Sequence, residues 1–226
     1  MREKNKTFEL GNDSFNGGVL ETDTAYAGGS TALLIANEGA DRDKDLEFPL
    51  YVQSARLRIL KNNLSTMKFR VKLNEVDTAS GRPGADILTS SVIVESAARK
   101  GWLEFDLSSY NIIVSGPFFV TFEQILNVED RTAIADGYRD FMRRHPENLR
   151  IDTVEFDGGK EIRKTMTGSA IDLPGTFISI RKSEKHGKDR TCYVRETSFG
   201  EWTKVSGIVT ATVTLSNQHR VVNKNK

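Results

Sequence analysis

A chain of 226 residues with 28% charged and 38% apolar side chains has the composition of a soluble globular protein able to fill a core, and excludes extensive disorder. Its 32 Lys and Arg against 31 Asp and Glu leave a formal charge of +1, so no global field draws nucleic acid or an anionic membrane surface. The lone Cys192 cannot form an intrachain disulfide, and no window has the length and apolarity of a membrane span.

The N-terminal residues MREKNKTFELGNDSF carry no apolar run behind their cations and so form no signal peptide. TFEL, from Thr7, predicts a first strand closed by the turn cluster Gly11-Asn12-Asp13. Ala32-Leu33-Leu34-Ile35 predicts a strand buried on both faces. Asp41, Asp43 and Asp45 alternate like calcium ligands, but Arg42 and Lys44 between them and the lack of a downstream bidentate acid mark a solvated loop. In LEFPLYVQ, Pro49 lacks a ladder donor, which predicts an edge or a bend.

The most patterned stretch, Arg56 to Gln124, reads as five strands. RLRIL alternates, as does MKFRVKL, where Met67, Phe69, Val71 and Leu73 oppose Lys68, Arg70 and Lys72. The short KNNLST connection predicts a hairpin that puts Arg56, Arg58, Lys68, Arg70 and Lys72 on one outer face. That face is either a basic binding surface or a set of cations paired across strands, and GWLEFDL, with Trp102, Glu104 and Asp106 outward, favours pairing. Gly81-Arg82-Pro83-Gly84 predicts a turn, Pro presetting φ and the following Gly supplying positive φ. FFVTFEQIL is apolar on both faces, as a central strand is.

The β pattern then breaks. Ile134, Tyr138, Phe141 and Met142 fall at i, i+4, i+7 and i+8, predicting a short helix over about 129–145 that lies across one end of the sandwich and stops at His145-Pro146. Arg131, Arg139, Arg143 and Arg144 lie on its opposite side. IDTVEFDGGKEIRKTM predicts a hairpin with Asp157-Gly158-Gly159 at its tip; TFISIRK, CYVRET and a last strand GIVTATVTLS follow, with a flexible tail over about 218–226. No Pro/Ser-rich linker interrupts the strands, so the expectation is one all-β domain over 1–226, a two-sheet antiparallel β-sandwich of jelly-roll type with one helical insertion.

Two sets of phrases also carry a resemblance. The first joins Phe69 to Val71, Gly81 to Gly84, Gly101 to Val114 and Phe118 to Val120; the second runs from Tyr193 to Trp202, YVRETSFGEW. Together they resemble the C-terminal β-sandwich region of bacterial "carboxypeptidase-like regulatory domain-containing" proteins, common in Bacteroidetes. The resemblance implies a sandwich of the cell envelope or extracellular space, and implies no peptidase activity. Two departures stand out: members typically begin with an export signal and a small prealbumin-like domain, neither seen here, and the Asn127 to Arg150 segment is longer than the corresponding loop. If the chain is complete as given, the expected location is instead cytoplasmic.

Catalytic motifs are missing: there is no HExxH, no G-x-S-x-G and no phosphate-binding Gly loop ahead of a helix. His145, His186 and His219 stand at no metal-ligand spacing, so neither a metal nor a cofactor is expected. Glu104, Asp106 and Glu123 could neighbour one another across one sheet as a glycosidase pair, but surrounding cations would depress an acid's pKa. Cys192 reads as a buried structural thiol. The expectation is a non-catalytic accessory or binding sandwich with carbohydrate as ligand class, or else a structural or protein-interaction module without a small-molecule site. Partners are then polysaccharide or another envelope protein. Candidate ligand residues are Tyr138, Arg139 and Arg143 on the helix, with Tyr193 and Trp202 near the last turn, because a sugar needs an aromatic platform and polar rim groups. Specificity is expected in the Asn127 to Arg150 insertion.

Overall fold

The computed structural model describes residues 5–15, 18–21, 28–37, 46–156, 159–166, 173–182 and 191–218. The Asp41–Asp45 run, the hairpin tip at 157–158, the basic turn at 183–190 with His186, and the tail from 219 with His219 lie outside the described residues.

In chain order the strands are β1 (Thr7–Asn12), β2 (Gly18–Glu21), β3 (Ser30–Ile35), β4 (Leu50–Asn62), β5 (Met67–Val76), β6 (Pro83–Asp86), β7 (Val92–Ser96), β8 (Gly101–Asp106), β9 (Ile113–Val114) and β10 (Phe118–Ile125). Helix α1 (Val128–Arg144) follows, then β11 (Leu149–Phe156), β12 (Gly159–Met166), β13 (Thr176–Lys182), β14 (Cys192–Arg195), β15 (Thr203–Val205), β16 (Gly207–Val209) and β17 (Ala211–Ser216). One sheet runs β1-β17-β4-β13-β16, with β8 and β9 on β4 and β2 on β13; the other runs β15-β14-β3-β10-β5-β6, with β7 on β5; among the described residues β11 and β12 pair only with each other. Counting β1, β3, β4, β5, β7, β8, β10 and β17 as one to eight, the sheets read 1-8-3-6 and 2-7-4-5, the double Greek key of a jelly roll. Everything from α1 to β16 is inserted between the seventh and eighth of these strands.

Alternation produces the core. Leu57 and Ile59 of β4, Leu103 and Phe105 of β8, and Phe69, Val71 and Leu73 of β5 all turn inward into one cluster spanning both sheets. Phe105 and Phe122 meet across it with ring centroids 5.5 Å apart. Each such fully buried side chain contributes roughly 1.5–3 kcal/mol relative to exposure. Strands β3 and β10 sit inside the second sheet and are buried on nearly all positions, as their apolar runs predict.

Five expectations are corrected. First, KNNLST is not a hairpin, because β4 and β5 belong to different sheets. The chain crosses at Asn62, a buried residue whose Oδ1 accepts from Leu64 N and Thr176 Oγ1 while its Nδ2 donates to Leu64 O. Arg56 and Arg58 therefore stand on one outer face of the sandwich, and Lys68, Arg70 and Lys72 on the other. Second, LYVQ and RLRIL form the single strand β4, which begins after Pro49. Third, the turn after β5 is centred on Asp77, whose Oδ1 accepts from Ala79 N and Ser80 N; Gly81, not Gly84, takes positive φ (69°), and Pro83 already begins β6. Fourth, GIVTATVTLS splits at Thr210. There β13 wedges in, so that Thr210 N donates to Ser179 O while its carbonyl accepts from Arg58 N. Fifth, Gly11 and Asn12 continue β1 rather than ending it.

Candidate functional site

Helix α1 starts at a capping box: Asn127 Oδ1 accepts from Asp130 N and Asp130 Oδ2 from Asn127 N. The expected stripe faces the protein. Ile134 is fully buried, and Tyr138 and Phe141 pack with Leu60, Leu173 and Phe177. Tyr138 is thus a docking residue of the helix. Arg139 and Arg143 lie on the exposed side, paired with Asp136 and Asp140 one turn earlier. Exposed pairs of this kind hold little energy and leave both guanidiniums partly occupied.

Tyr193 and Trp202 belong to a separate apolar cluster on the outer face of the second sheet, with Ala32 and Phe119. Tyr193 is buried edge-on against Phe119, centroids 5.7 Å apart, and Arg195 lies 4.5 Å over the Trp202 ring. The five candidate residues therefore fall into two clusters and do not converge on one surface. Beside the second cluster sits Glu123, whose side chain is only 4% exposed. It accepts from Ser198 Oγ at 2.6 Å and pairs with Arg70 at 3.2 Å and Lys72 at 3.3 Å. Burial pushes its carboxyl up, but the Ser198 hydrogen bond and the charges of Lys72 and Arg70 outweigh it, and the net pKa lies below the usual Glu value. Burial likewise draws the Arg195 guanidinium down, with Glu123 and Asp86 opposing.

The grouping of Glu104, Asp106 and Glu123 in one sheet is also corrected: the first two lie on β8 of the first sheet and Glu123 on β10 of the second, facing away on the other side of the sandwich. Most of the patterned cations do find carboxylates, as expected, through Arg56–Glu9 at 2.6 Å, Lys68–Glu95 at 3.2 Å and the Glu123 pairs. Their partners come from β1, β7 and β10 rather than from GWLEFDL. Cys192 is buried, its thiol pushed up by burial and 3.6 Å from Thr31 Oγ1.

Two outward surfaces remain, of which sequence pointed only to the second, as a face of cations with Trp102 outward. The first is a groove of about 220 Å³ between residues 87–90, which follow β6, and residues 110–113, which lead into β9. Tyr110 (40% exposed) and Ile113 (50%) form its apolar part, Thr89, Ser90 and Asn111 its polar part, and the described lining holds no charged side chain. Asn111 takes the left-handed conformation (φ 53°), which Asn tolerates and which turns the chain from the 3₁₀ turn at Ser108–Tyr110 into β9. The second surface is the outer face of the first sheet around Trp102 (38% exposed), whose ring lies 5.1 Å from Arg56 Cζ and 5.8 Å from Arg58 Cζ. Alternation alone places Trp102 outward; nothing local in sequence brings Phe15 beside Arg58, also at 5.8 Å. Among the described residues no three His, Cys, Asp or Glu side chains are grouped to hold a metal, and no helix is long and apolar enough to cross a membrane.

These features define an all-β jelly-roll sandwich carrying two outward surfaces with exposed aromatic rings. No family model matches the chain, and no curated protein does. Among solved structures it is similar to the cysteine protease and lectin-like domains of Cwp84, a surface layer associated protein of Clostridium difficile, at 7% identity and a TM-score of 0.45. The match covers 95% of this chain and 36% of that one, so the chain spans about a third of its length.

Proposed function

We propose that the protein is a non-catalytic binding sandwich whose ligand is carbohydrate. The observation that carries this reading is the Tyr110 groove. A pyranose has an apolar face and a rim of hydroxyls, and the groove pairs an exposed aromatic ring with neutral hydrogen-bonding side chains from Thr89, Ser90 and Asn111. The absence of charge in its described lining suits a neutral sugar. Against an enzyme stands the fate of the acids: Glu123 is held ionised by Arg70, Lys72 and Ser198, and lies on the opposite face from Glu104 and Asp106. The phrases from Phe69 to Trp202 support a place in a bacterial cell envelope, with polysaccharide or another envelope protein as partner. A glycan array, followed by titration calorimetry on any hit, tests the reading. Tyr110→Ala is expected to weaken a hit by about tenfold or more, stacking being worth roughly 0.5–1.5 kcal/mol beyond the area buried. A hit indifferent to Tyr110→Ala, or no hit at all, refutes the groove as the site.

A second reading, a protein-interaction module, has its own observation. Phe199 is 99% exposed at the tip of a turn that Ser198 ties to Glu123 and Gly200 N closes on Thr197 O. A braced loop presenting a bare aromatic ring is the form of an interface anchor. Loss of a pull-down partner on Phe199→Ser would support it, and an unchanged set of partners would not.

A further inference from the structure

We infer that Arg58, with Trp102 beside it, is a receptor for the carboxylate of a uronic acid residue, so that the outer face of the first sheet takes a glycan in which uronate is interspersed among neutral sugars. The inference rests on the proposed function in taking the ligand as carbohydrate.

The two arginines of β4 are not equivalent. Arg56 is spoken for: its Nη2 donates to Glu9 at 2.6 Å and its Nε to Thr212 Oγ1 at 3.2 Å. Arg58, two residues on and facing the same side, makes no ion pair and no hydrogen bond through its side chain among the described residues. What it touches is aromatic, the rings of Phe15 and Trp102, each with its centroid 5.8 Å from Cζ. Neither ring contact takes up an N–H donor of the guanidinium in a hydrogen bond to an oxygen. Those donors form the fork that a carboxylate accepts in two parallel hydrogen bonds. Because Arg58 is half-buried and already held by two rings, little further side-chain freedom is lost when an anion arrives.

The surroundings say what carries the carboxylate. Register places Trp102 directly across from Arg58, and Glu104 across from Arg56 on the next rank. An exposed indole beside the free fork suits the apolar face of a sugar ring, and Glu104, exposed, can accept from its hydroxyls. Glu104 on the next rank repels closely spaced negative charges, which disfavours a run of acidic residues in a peptide and equally a polymer of uronate alone. Tyr51 pairs with Ile113 seven residues back along the same strand, so the Tyr110 groove lies roughly 23 Å away on the same edge of the sheet. One extended chain can reach both.

The test measures binding of the full chain to glucuronoxylan, to the same polymer with its carboxyls reduced to alcohols, and to polygalacturonate, by titration calorimetry. The expected result is about tenfold weaker binding after reduction, with polygalacturonate weaker than glucuronoxylan. Arg58→Gln is expected to bind native and reduced polymer alike, at the lower affinity. Arg58→Lys keeps the charge without the fork and recovers part of the difference, which separates recognition from damage to the fold; a melting curve accompanies each variant. Equal binding of native and reduced polymer by the unaltered chain overturns the inference, as does an Arg58→Gln chain that still distinguishes them, or binding of neither form. Equal binding that Tyr110→Ala abolishes would remove this inference and leave the groove reading standing. Failure of the array as a whole would remove both.

Discussion

Gly137 sits in the interior of α1, where helix propensity favours replacing it with Ala by about 1 kcal/mol. Its surroundings reverse the sign. A Cβ at this position would lie 2.4 Å from Pro174 Cδ and 2.6 Å from Pro174 Cγ, where ordinary carbon contacts stand at about 3.5–4.0 Å. Pro174 cannot swing aside as a long side chain would, because its ring is part of the backbone. That backbone is held on both sides, by Asn63 Nδ2 donating to Leu173 O at 2.6 Å and Asn63 N donating to Gly175 O at 2.8 Å. The helix must therefore retreat by about 1 Å, loosening Tyr138 and Phe141 from Leu173 and Phe177. Overpacking of this kind costs about 1–3 kcal/mol, so Gly137→Ala is expected to destabilise by about 1 kcal/mol net and lower the melting temperature by about 2–4 °C in a chain of this size. The decisive assay is a double-mutant cycle by reversible urea unfolding. In a Pro174→Ala background the clash is gone and the same substitution should stabilise by about 1 kcal/mol, a coupling of about 2 kcal/mol. A melting temperature that rises on Gly137→Ala in the unaltered chain, or a cycle with no coupling, refutes the reasoning.

Two further outcomes follow from buried groups. Glu123 has a folded-state pKa below its unfolded value, so the stability it contributes is fully present above the ordinary Glu pKa and is lost as pH falls from there through the folded pKa. Glu123→Gln should flatten that acid limb of a stability–pH profile and cost about 2–3 kcal/mol at neutral pH, below the full penalty for a broken buried pair because Arg70 and Lys72 are partly exposed; an unchanged acid limb would show that the pairing does not form. Cys192 should resist alkylation in the native chain, since burial both shields its sulfur and keeps it protonated, and label only as the protein unfolds. Mass spectrometry after iodoacetamide at rising urea checks this, and rapid labelling without denaturant would contradict it.

How much of this could be read from sequence follows from what alternation and helical spacing encode. Period-two patterning identified the inward faces of β5 and β8, continuous apolarity identified β3 and β10 as interior strands, and the stripe from Ile134 to Met142 with its His145-Pro146 stop located α1 within a residue at each end. Alternation records which face of a strand is buried, but not which sheet the strand joins: Leu57 and Ile59 would be equally buried beside Phe69 and Val71 or facing them. The Asn62 crossing, made by side-chain hydrogen bonds to Leu64 and Thr176, has no local signature, and with it went the grouping of the five cations. For the same reason GIVTATVTLS looked like one strand, since the wedge at Thr210 comes from Ser179, more than thirty residues earlier.

The same distinction relocates the candidate site. The Asn127 to Arg150 segment was expected to hold specificity because it departs from the pattern around it, yet its helix turns Tyr138 inward and pairs Arg139 and Arg143 on its own surface. Further along the same insertion, strands β13 and β16 extend the first sheet, and β14 and β15 the second. An insertion that adds strands to both sheets must satisfy their ladders and bury their inner faces, which leaves few side chains free for a ligand. The outward positions of β4 and β8 carry less of this obligation. On β4 and β8 the inward residues alone fill the core, so Arg58 and Trp102 can be chosen for what they meet outside it. The most regular part of the sequence, whose pattern suggested scaffold, is for that reason the part best able to hold a binding surface in fixed register.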